Sequence, residues 1–172
     1  TFYAIIFIHF FSMSNVVQIG EAAPLLNAKL DAVLADGSIG QVRLGSFLGE
    51  NKWVVLFFYP LAFTFVCPSE IVAFSDAVPE FEAANAQVVG CAVDSVYSTL
   101  AWRGVGRKEG GIGEVAFPIV SDLTQEIGKA YNCLLKAGHH SRCTVVIDPN
   151  GIVRHVSYNE PSVGRNTQEF LR

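Results

Sequence analysis

Apolar residues along the chain fall into alternating runs, continuous runs and helical stripes. Leu30, Ala32 and Leu34 alternate with more polar neighbours, Asp36-Gly37 supplies a turn, and the stretch Ile39 to Leu44 follows, a pattern that predicts a β-hairpin. Trp53 to Tyr59 is an unbroken, β-rich run, as expected of a central strand buried on both faces. Beyond Pro68, the residues Ile71, Phe74, Val78 and Phe81 share one helical face, and Pro79 inside that pattern predicts a kink or a restart near Val78. Val88 to Val93 reads as a second buried strand, so strand, helix and strand make a right-handed βαβ unit. Ser95 is expected to cap a helix reaching about Lys108, and a shorter helix follows Asp122. Cys143 to Ile147 and Ile152 to Ser157 flank Pro149-Asn150-Gly151 as a second hairpin, and a last helix is expected after Gly164. This order predicts an α/β fold, a mixed central sheet with helices on both faces.

Composition narrows the class. With 172 residues and 51% hydrophobic content, the chain fits one domain with a substantial core. Residues 1–13 are strongly apolar, carry no Lys or Arg and are too short to span a bilayer. They are expected to be an extension outside the fold, with a targeting segment as the alternative, and residues 14–172 form the domain. No membrane association is expected. The net charge is −4, and no basic cluster exceeds Arg103 to Lys108, which argues against nucleic acid as a partner. The four cysteines lack the density and spacing of a secreted disulfide scaffold, so a reducing compartment, the cytoplasm, is expected.

Cys67 is the candidate for chemistry. It stands where the apolar strand gives way, through the loop opened by Pro60, to a helix that Pro68 is suited to start. The first turn of a helix presents unpaired N–H groups and the positive end of the macrodipole, which favour a thiolate. Ionisation alone is a limited lever. An ordinary cysteine is about 3% thiolate at pH 7, so full ionisation gains at most roughly 30-fold. That is about 2 kcal/mol, whereas enzymes commonly lower barriers by about 8 kcal/mol or more. The remainder must come from donors aimed at a leaving oxygen.

Other chemistries fit poorly. Cys133, His139, His140 and Cys143 lack paired Cys-x-x-Cys spacing, and adjacent histidines in extended chain point to opposite sides, so no metal site is expected. Gly111 to Ala116 fits a loose dinucleotide fingerprint but follows a charged helix end and no strand, and no cofactor is expected. A dithiol oxidoreductase would need a second cysteine near Cys67, and Pro68-Ser69-Glu70 supplies none.

The segment Tyr59 to Glu70, with Pro60, Thr64 and Cys67 in the spacing Pro-x-x-x-Thr-x-x-Cys, resembles the active-site segment of the peroxiredoxins. The resemblance continues through Val93-Asp94-Ser95, Leu100-Ala101-Trp102, Lys108 to Gly113, Phe117-Pro118, Ile147 to Gly151 and Val163-Gly164-Arg165, and points to the typical two-cysteine class. It implies a thioredoxin-like fold and a thiol peroxidase reducing hydrogen peroxide and organic hydroperoxides through a Cys67 sulfenic acid, in antioxidant defence and redox signalling. It assigns Cys67, Thr64, Arg142 and Pro60 to catalysis, Glu70 and Arg165 to orienting Arg142, and Tyr59 and Trp102 to packing around the pocket. Without the resemblance, Thr64 reads as a hydroxyl bonded to local backbone, Arg142, Glu70 and Arg165 as solvated charges, and Tyr59 and Trp102 as plain core.

The implied partners are a hydroperoxide, thioredoxin or a similar thiol reductant, and a second copy of the chain, joined edge to edge through the last strand, often with five dimers in a ring. The resolving cysteine of that class lies beyond the last helix, and the sequence reads as stopping inside that helix at Leu171-Arg172. The expectation is therefore a truncated chain that turns over poorly with thioredoxin, with none of Cys91, Cys133 and Cys143 in the resolving role. A ring-forming holdase or redox-relay protein with little turnover is the alternative function.

Overall fold

A computed structural model of the chain describes residues 17–172. The expected extension, residues 1–13, lies outside the described residues. Strands β1 (Leu30–Val33) and β2 (Ile39–Val42) form the N-terminal hairpin in antiparallel register, Leu30 opposite Val42. Its turn is closed by Asp36, whose Oδ1 accepts hydrogen bonds from the Ser38 N–H (2.9 Å) and hydroxyl (2.7 Å), while Gly37 takes a φ of +85°. Helix α1 (Leu44–Gly49) leads to the central strand β3 (Trp53–Phe58). Helices α2 (Cys67–Asp76) and α3 (Val78–Ala83) carry the chain back to β4 (Ala86–Ala92), which pairs with β3 in parallel.

The helix is interrupted where Pro79 required it. Proline has no N–H to donate and its ring crowds the preceding turn, so α2 closes at Asp76 and α3 restarts with Pro79 in its first turn. Helix α4 (Val96–Arg103) is capped by Ser95, whose hydroxyl accepts from the Ser98 N–H at 3.1 Å. It is shorter than the sequence suggested. Gly104 ends it, and a separate 3₁₀ turn, Arg107–Glu109, follows. Strand β5 (Ile119–Ser121), helix α5 (Glu126–Ala130) and the hairpin β6 (Arg142–Ile147) with β7 (Val153–Asn159) complete the domain. In place of a final helix, Thr167–Phe170 make one 3₁₀ turn, started by the Asn166 side chain, which accepts from the Gln168 N–H at 3.1 Å.

The strands form one sheet in the order β2-β1-β5-β4-β3-β6-β7. Successive residues of β3 point to opposite faces and so build two cores. Val54, Leu56 and Phe58 pack with Cys91, Cys133, Cys143 and Tyr131 on one face. Val55, Phe57 and Tyr59 pack with Cys67, Ile71, Phe74 and Trp102 on the other. Burial of each large side chain here contributes about 1.5–3 kcal/mol.

Asp122 ties the first of these layers together. Its carboxylate accepts from the N–H groups of Ile127 (2.9 Å) and Gly128 (2.7 Å), satisfying the start of α5, and pairs with His140 Nε2 at 2.9 Å, with both side chains fully buried. His140, set aside above as a metal ligand, is committed to this contact. Replacing Asp122 with Ala is expected to lower stability by about 3 kcal/mol, because three buried polar groups lose their partner. Urea unfolding at constant m-value measures it, and an unchanged midpoint would contradict it.

Candidate active site

Three elements converge on Cys67. The sulfur is carried by the first residue of α2, one position earlier than the proline suggested, and is fully buried. Arg142, at the start of β6, donates from Nη1 to Cys67 Sγ at 3.4 Å. The same nitrogen bonds Glu70 Oε2, and Arg142 Nε donates to the Pro161 carbonyl at 2.6 Å. Glu70 sits one turn along α2 from Cys67, with its carboxylate turned toward the sheet.

Arg165 completes the cluster. Its backbone N–H and Nε donate to Glu70 Oε1 at 2.9 and 3.0 Å, and Nη2 reaches Glu70 Oε2 at 3.3 Å. Nη1 donates to the Cys143 carbonyl at 2.7 Å and the Thr144 hydroxyl at 3.2 Å. The guanidinium also lies over the rings of Phe57 and Phe74, at 5.2 and 5.9 Å. Burial draws the Arg165 guanidinium down from its ordinary value, and the Glu70 charge pulls it back up.

These ions are out of water: the side chains of Arg142 and Glu70 are 3% exposed and that of Arg165 is 2% exposed. Two cations against one carboxylate leave one positive charge, presented by Arg142 toward the sulfur. Such a site stabilises a sulfur anion, or negative charge developing on an oxygen beside it. The reading of Glu70 and Arg165 as solvated charges does not hold, because residues distant in sequence bury them together.

The remaining expected residues fall around this centre. Pro60 is buried and ends the β3 ladder, which extends one residue past the strand through the Tyr59 N–H to the Cys91 carbonyl at 3.0 Å. Tyr59 and Trp102 are fully buried, with ring centroids 6.1 Å apart, and Trp102 Nε1 donates to the Gly110 carbonyl at 3.0 Å. Burial, and then the charge of Asp94, push the Tyr59 phenol well above its ordinary value. Thr64 makes the local contact: its hydroxyl donates to the Leu61 carbonyl at 3.0 Å, which leaves its lone pairs free to accept. Phe63 adopts a φ of +56°, a conformation that costs a residue of this size roughly 1–2 kcal/mol, and its ring meets Trp102 at 5.8 Å. A cavity of about 380 Å³ opens beside the sulfur's loop, lined by Thr64, Phe65, Pro68, Ser69, Val72 and Arg107 among others.

Sequence reasoning passed over several participants. The Pro161 carbonyl, Thr144 and the ring pair Phe57–Phe74 have no local signature. Asp94 sits inside a motif that resembled the family, but no role was assigned to it. Its carboxylate accepts the Ala62 N–H at 2.9 Å.

Comparison with known proteins adds an independent finding. Residues 19–156 match the AhpC/TSA family. The chain is 46% identical over 156 residues to a chloroplastic 2-cysteine peroxiredoxin of Chattonella marina var. antiqua, covering 91% of this chain and 78% of that protein. It is 50% identical over 140 residues to the mitochondrial thioredoxin-dependent peroxide reductase of Drosophila melanogaster, covering 81% of this chain and 59% of that one. Among solved structures, the reduced 2-Cys peroxiredoxin of Plasmodium vivax superimposes with a TM-score of 0.86 at 44% identity, over 91% of this chain and 79% of that chain.

Glu70 holds both arginines, so its neutralisation is expected to damage the fold as well as the site. Glu70→Gln leaves two guanidiniums buried without a counter-charge, a loss of about 3–5 kcal/mol in thermal or chemical unfolding. A variant as stable as the parent would show that the cations are solvated.

Proposed function

The chain belongs to the AhpC/TSA family, among the typical two-cysteine peroxiredoxins, and on that footing we propose that it is a thiol peroxidase whose peroxide-reacting group is Cys67. The observation that carries the reading is the Arg142 guanidinium, buried and clamped by Glu70, 3.4 Å from the Cys67 sulfur.

In the proposed step the Cys67 thiolate attacks one oxygen of a hydroperoxide. The S–O bond forms as the O–O bond breaks, sulfur is oxidised by two electrons to the sulfenic acid, and the other oxygen leaves as water or an alcohol after taking a proton. Arg142 supplies the fixed donors that meet the leaving oxygen's charge. Lysine is a poor replacement, since a single ammonium cannot serve sulfur, carboxylate and carbonyl from one plane. Pro60 contributes by lacking an N–H beside the sulfur's loop, and Thr64 by offering hydroxyl lone pairs to a hydrogen-bearing peroxide oxygen. Glu70 and Arg165 orient Arg142.

The second half of the cycle returns the sulfenic acid to a thiol with release of water, at the expense of a dithiol that becomes a disulfide. Cys91, Cys133 and Cys143 pack on the opposite face of the sheet from Cys67, so none of them can meet it without breaking the sheet. The thiol that reduces Cys67 in this reading is none of these three, with thioredoxin or a similar protein as the final donor. The name of the Drosophila relative supports thioredoxin in that role. Antioxidant defence and redox signalling are the proposed settings. The low density and wide spacing of the four cysteines support work in a reducing compartment such as the cytoplasm.

A homodimer is proposed through β7, the terminal strand of the sheet, with a decameric ring as the larger assembly. Sedimentation velocity is expected to find dimers or larger species, and a persistent monomer would remove this part of the proposal.

Stopped-flow mixing with hydrogen peroxide tests the chemistry. Cys67→Ser is expected to abolish peroxide consumption, and Arg142→Lys to slow oxidation of Cys67 by about 100-fold. Replacing Cys91, Cys133 and Cys143 together is expected to leave that first oxidation unchanged. A parent protein no faster than free cysteine would sink the enzyme reading in favour of a holdase or relay role.

A further inference from the structure

We propose that Asp94 is a positioning residue for the oxidation of Cys67, its carboxylate fixing the loop that delivers the sulfur by holding the Ala62 N–H. The proposal rests on Cys67 being the peroxide-reacting thiol, and goes beyond the residues assigned to that step.

Sheet hydrogen bonding ends at Tyr59, whose N–H reaches the Cys91 carbonyl, because Pro60 has no donor to continue it. The chain then travels through Leu61, Ala62, Phe63 and Thr64 before α2 begins. Among the described residues, the Ala62 N–H to Asp94 Oδ2 contact at 2.9 Å is the one hydrogen bond from residues 60–64 to the rest of the chain. The anchor is itself held, since the Ser121 hydroxyl donates to the Asp94 carbonyl oxygen at 2.7 Å from the end of β5. A line of contacts therefore runs from the sheet through Asp94 into the loop.

The loop has a reason to need it. Phe63 is held at a positive φ, and a loop in that state relaxes unless its surroundings over-determine it. The ring contact with Trp102 is one restraint and the Ala62 bond is the other. The Thr64 hydroxyl closes the loop onto the Leu61 carbonyl, so a shift at Ala62 is passed to Thr64 and on to Cys67 three residues later.

A plainer role for Asp94 is capping α4. That task is already done by Ser95, whose hydroxyl takes the Ser98 N–H. Half-burial raises the Asp94 carboxyl above its ordinary value and the Ala62 N–H works against that rise, as expected of a carboxylate kept near the sheet by the bond it accepts.

The test uses the full chain, stopped-flow oxidation of Cys67 by hydrogen peroxide, and amide hydrogen exchange at Ala62. Asp94→Ala is expected to slow oxidation by about tenfold or more, a size consistent with misplacing a reacting group by a fraction of an ångström, and to deprotect the Ala62 amide. Asp94→Asn keeps a carbonyl oxygen to accept the same N–H and is expected to restore both the rate and the protection. Asp94→Ser, whose hydroxyl is too short to reach Ala62, must behave like the alanine variant, and it carries the test if the alanine variant does not fold. Oxidation at the parent rate in the serine or alanine variant, or an asparagine variant as slow as either, would overturn the proposal. Failure of the underlying reading is distinct: there the parent protein itself would react no faster than a free thiol.

Discussion

One carboxylate organises this molecule's chemistry. Glu70 bridges two guanidiniums drawn from the start of β6 and from the chain beyond β7, and it projects from the helix whose first residue is Cys67. Taking three charges out of water costs several kcal/mol for each, and attraction repays that only when every donor finds an acceptor. Here the acceptors are specific: the Pro161, Cys143 and Thr144 oxygens, the two Glu70 oxygens and the Cys67 sulfur. The guanidinium facing the sulfur is thus fixed in place before any peroxide arrives. A fixed donor spends no reorganisation at the moment of reaction, which is where such a site gains over water.

The sheet makes this cluster affordable by dividing the sulfurs. Strand β3 is apolar on both faces, so it separates the layer containing Cys67 from the layer containing Cys91, Cys133 and Cys143. Burial pushes the thiols of Cys91 and Cys133 in the second layer up from their ordinary value. They behave as small hydrophobes. The four sulfurs thus differ in surroundings according to which face of the sheet each occupies.

Elements with strong local signals were legible in the sequence: the Asp36-Gly37 and Pro149-Asn150-Gly151 hairpins, the parallel βαβ unit, and the restart at Pro79. Each depends on residues adjacent in sequence. What escaped depends on contacts at long range. Strand β5 is three residues long and gains its identity only from lying between β1 and β4. The expected helix after Gly164 shortens to a 3₁₀ turn, where Arg165 instead spends its backbone N–H and side chain on Glu70. The candidate cysteine, proline and threonine stand out by motif. The burial of Glu70 and Arg165 was not readable from residues, because nothing near them in sequence announces a partner 95 positions away.

The surroundings of the sulfur differ in stiffness from side to side. On the arginine side, β6 lies between β3 and β7, and Arg142 and Arg165 are each fastened by several hydrogen bonds. On the loop side there is, among the described residues, one hydrogen bond to the rest of the chain, one strained residue, and the exposed side chains of Leu61, Phe63 and Phe65. Few buried contacts and few bonds mark a segment that opens at low cost. Cys67 is fully buried as it stands, so a molecule as large as an organic hydroperoxide, or a thiol on another protein, needs one side of the site to yield. The loop is the less tethered side. The Cys67 sulfur therefore lies between a cation fixed by several hydrogen bonds and a lightly tethered loop, and access to it costs least where the tether is single.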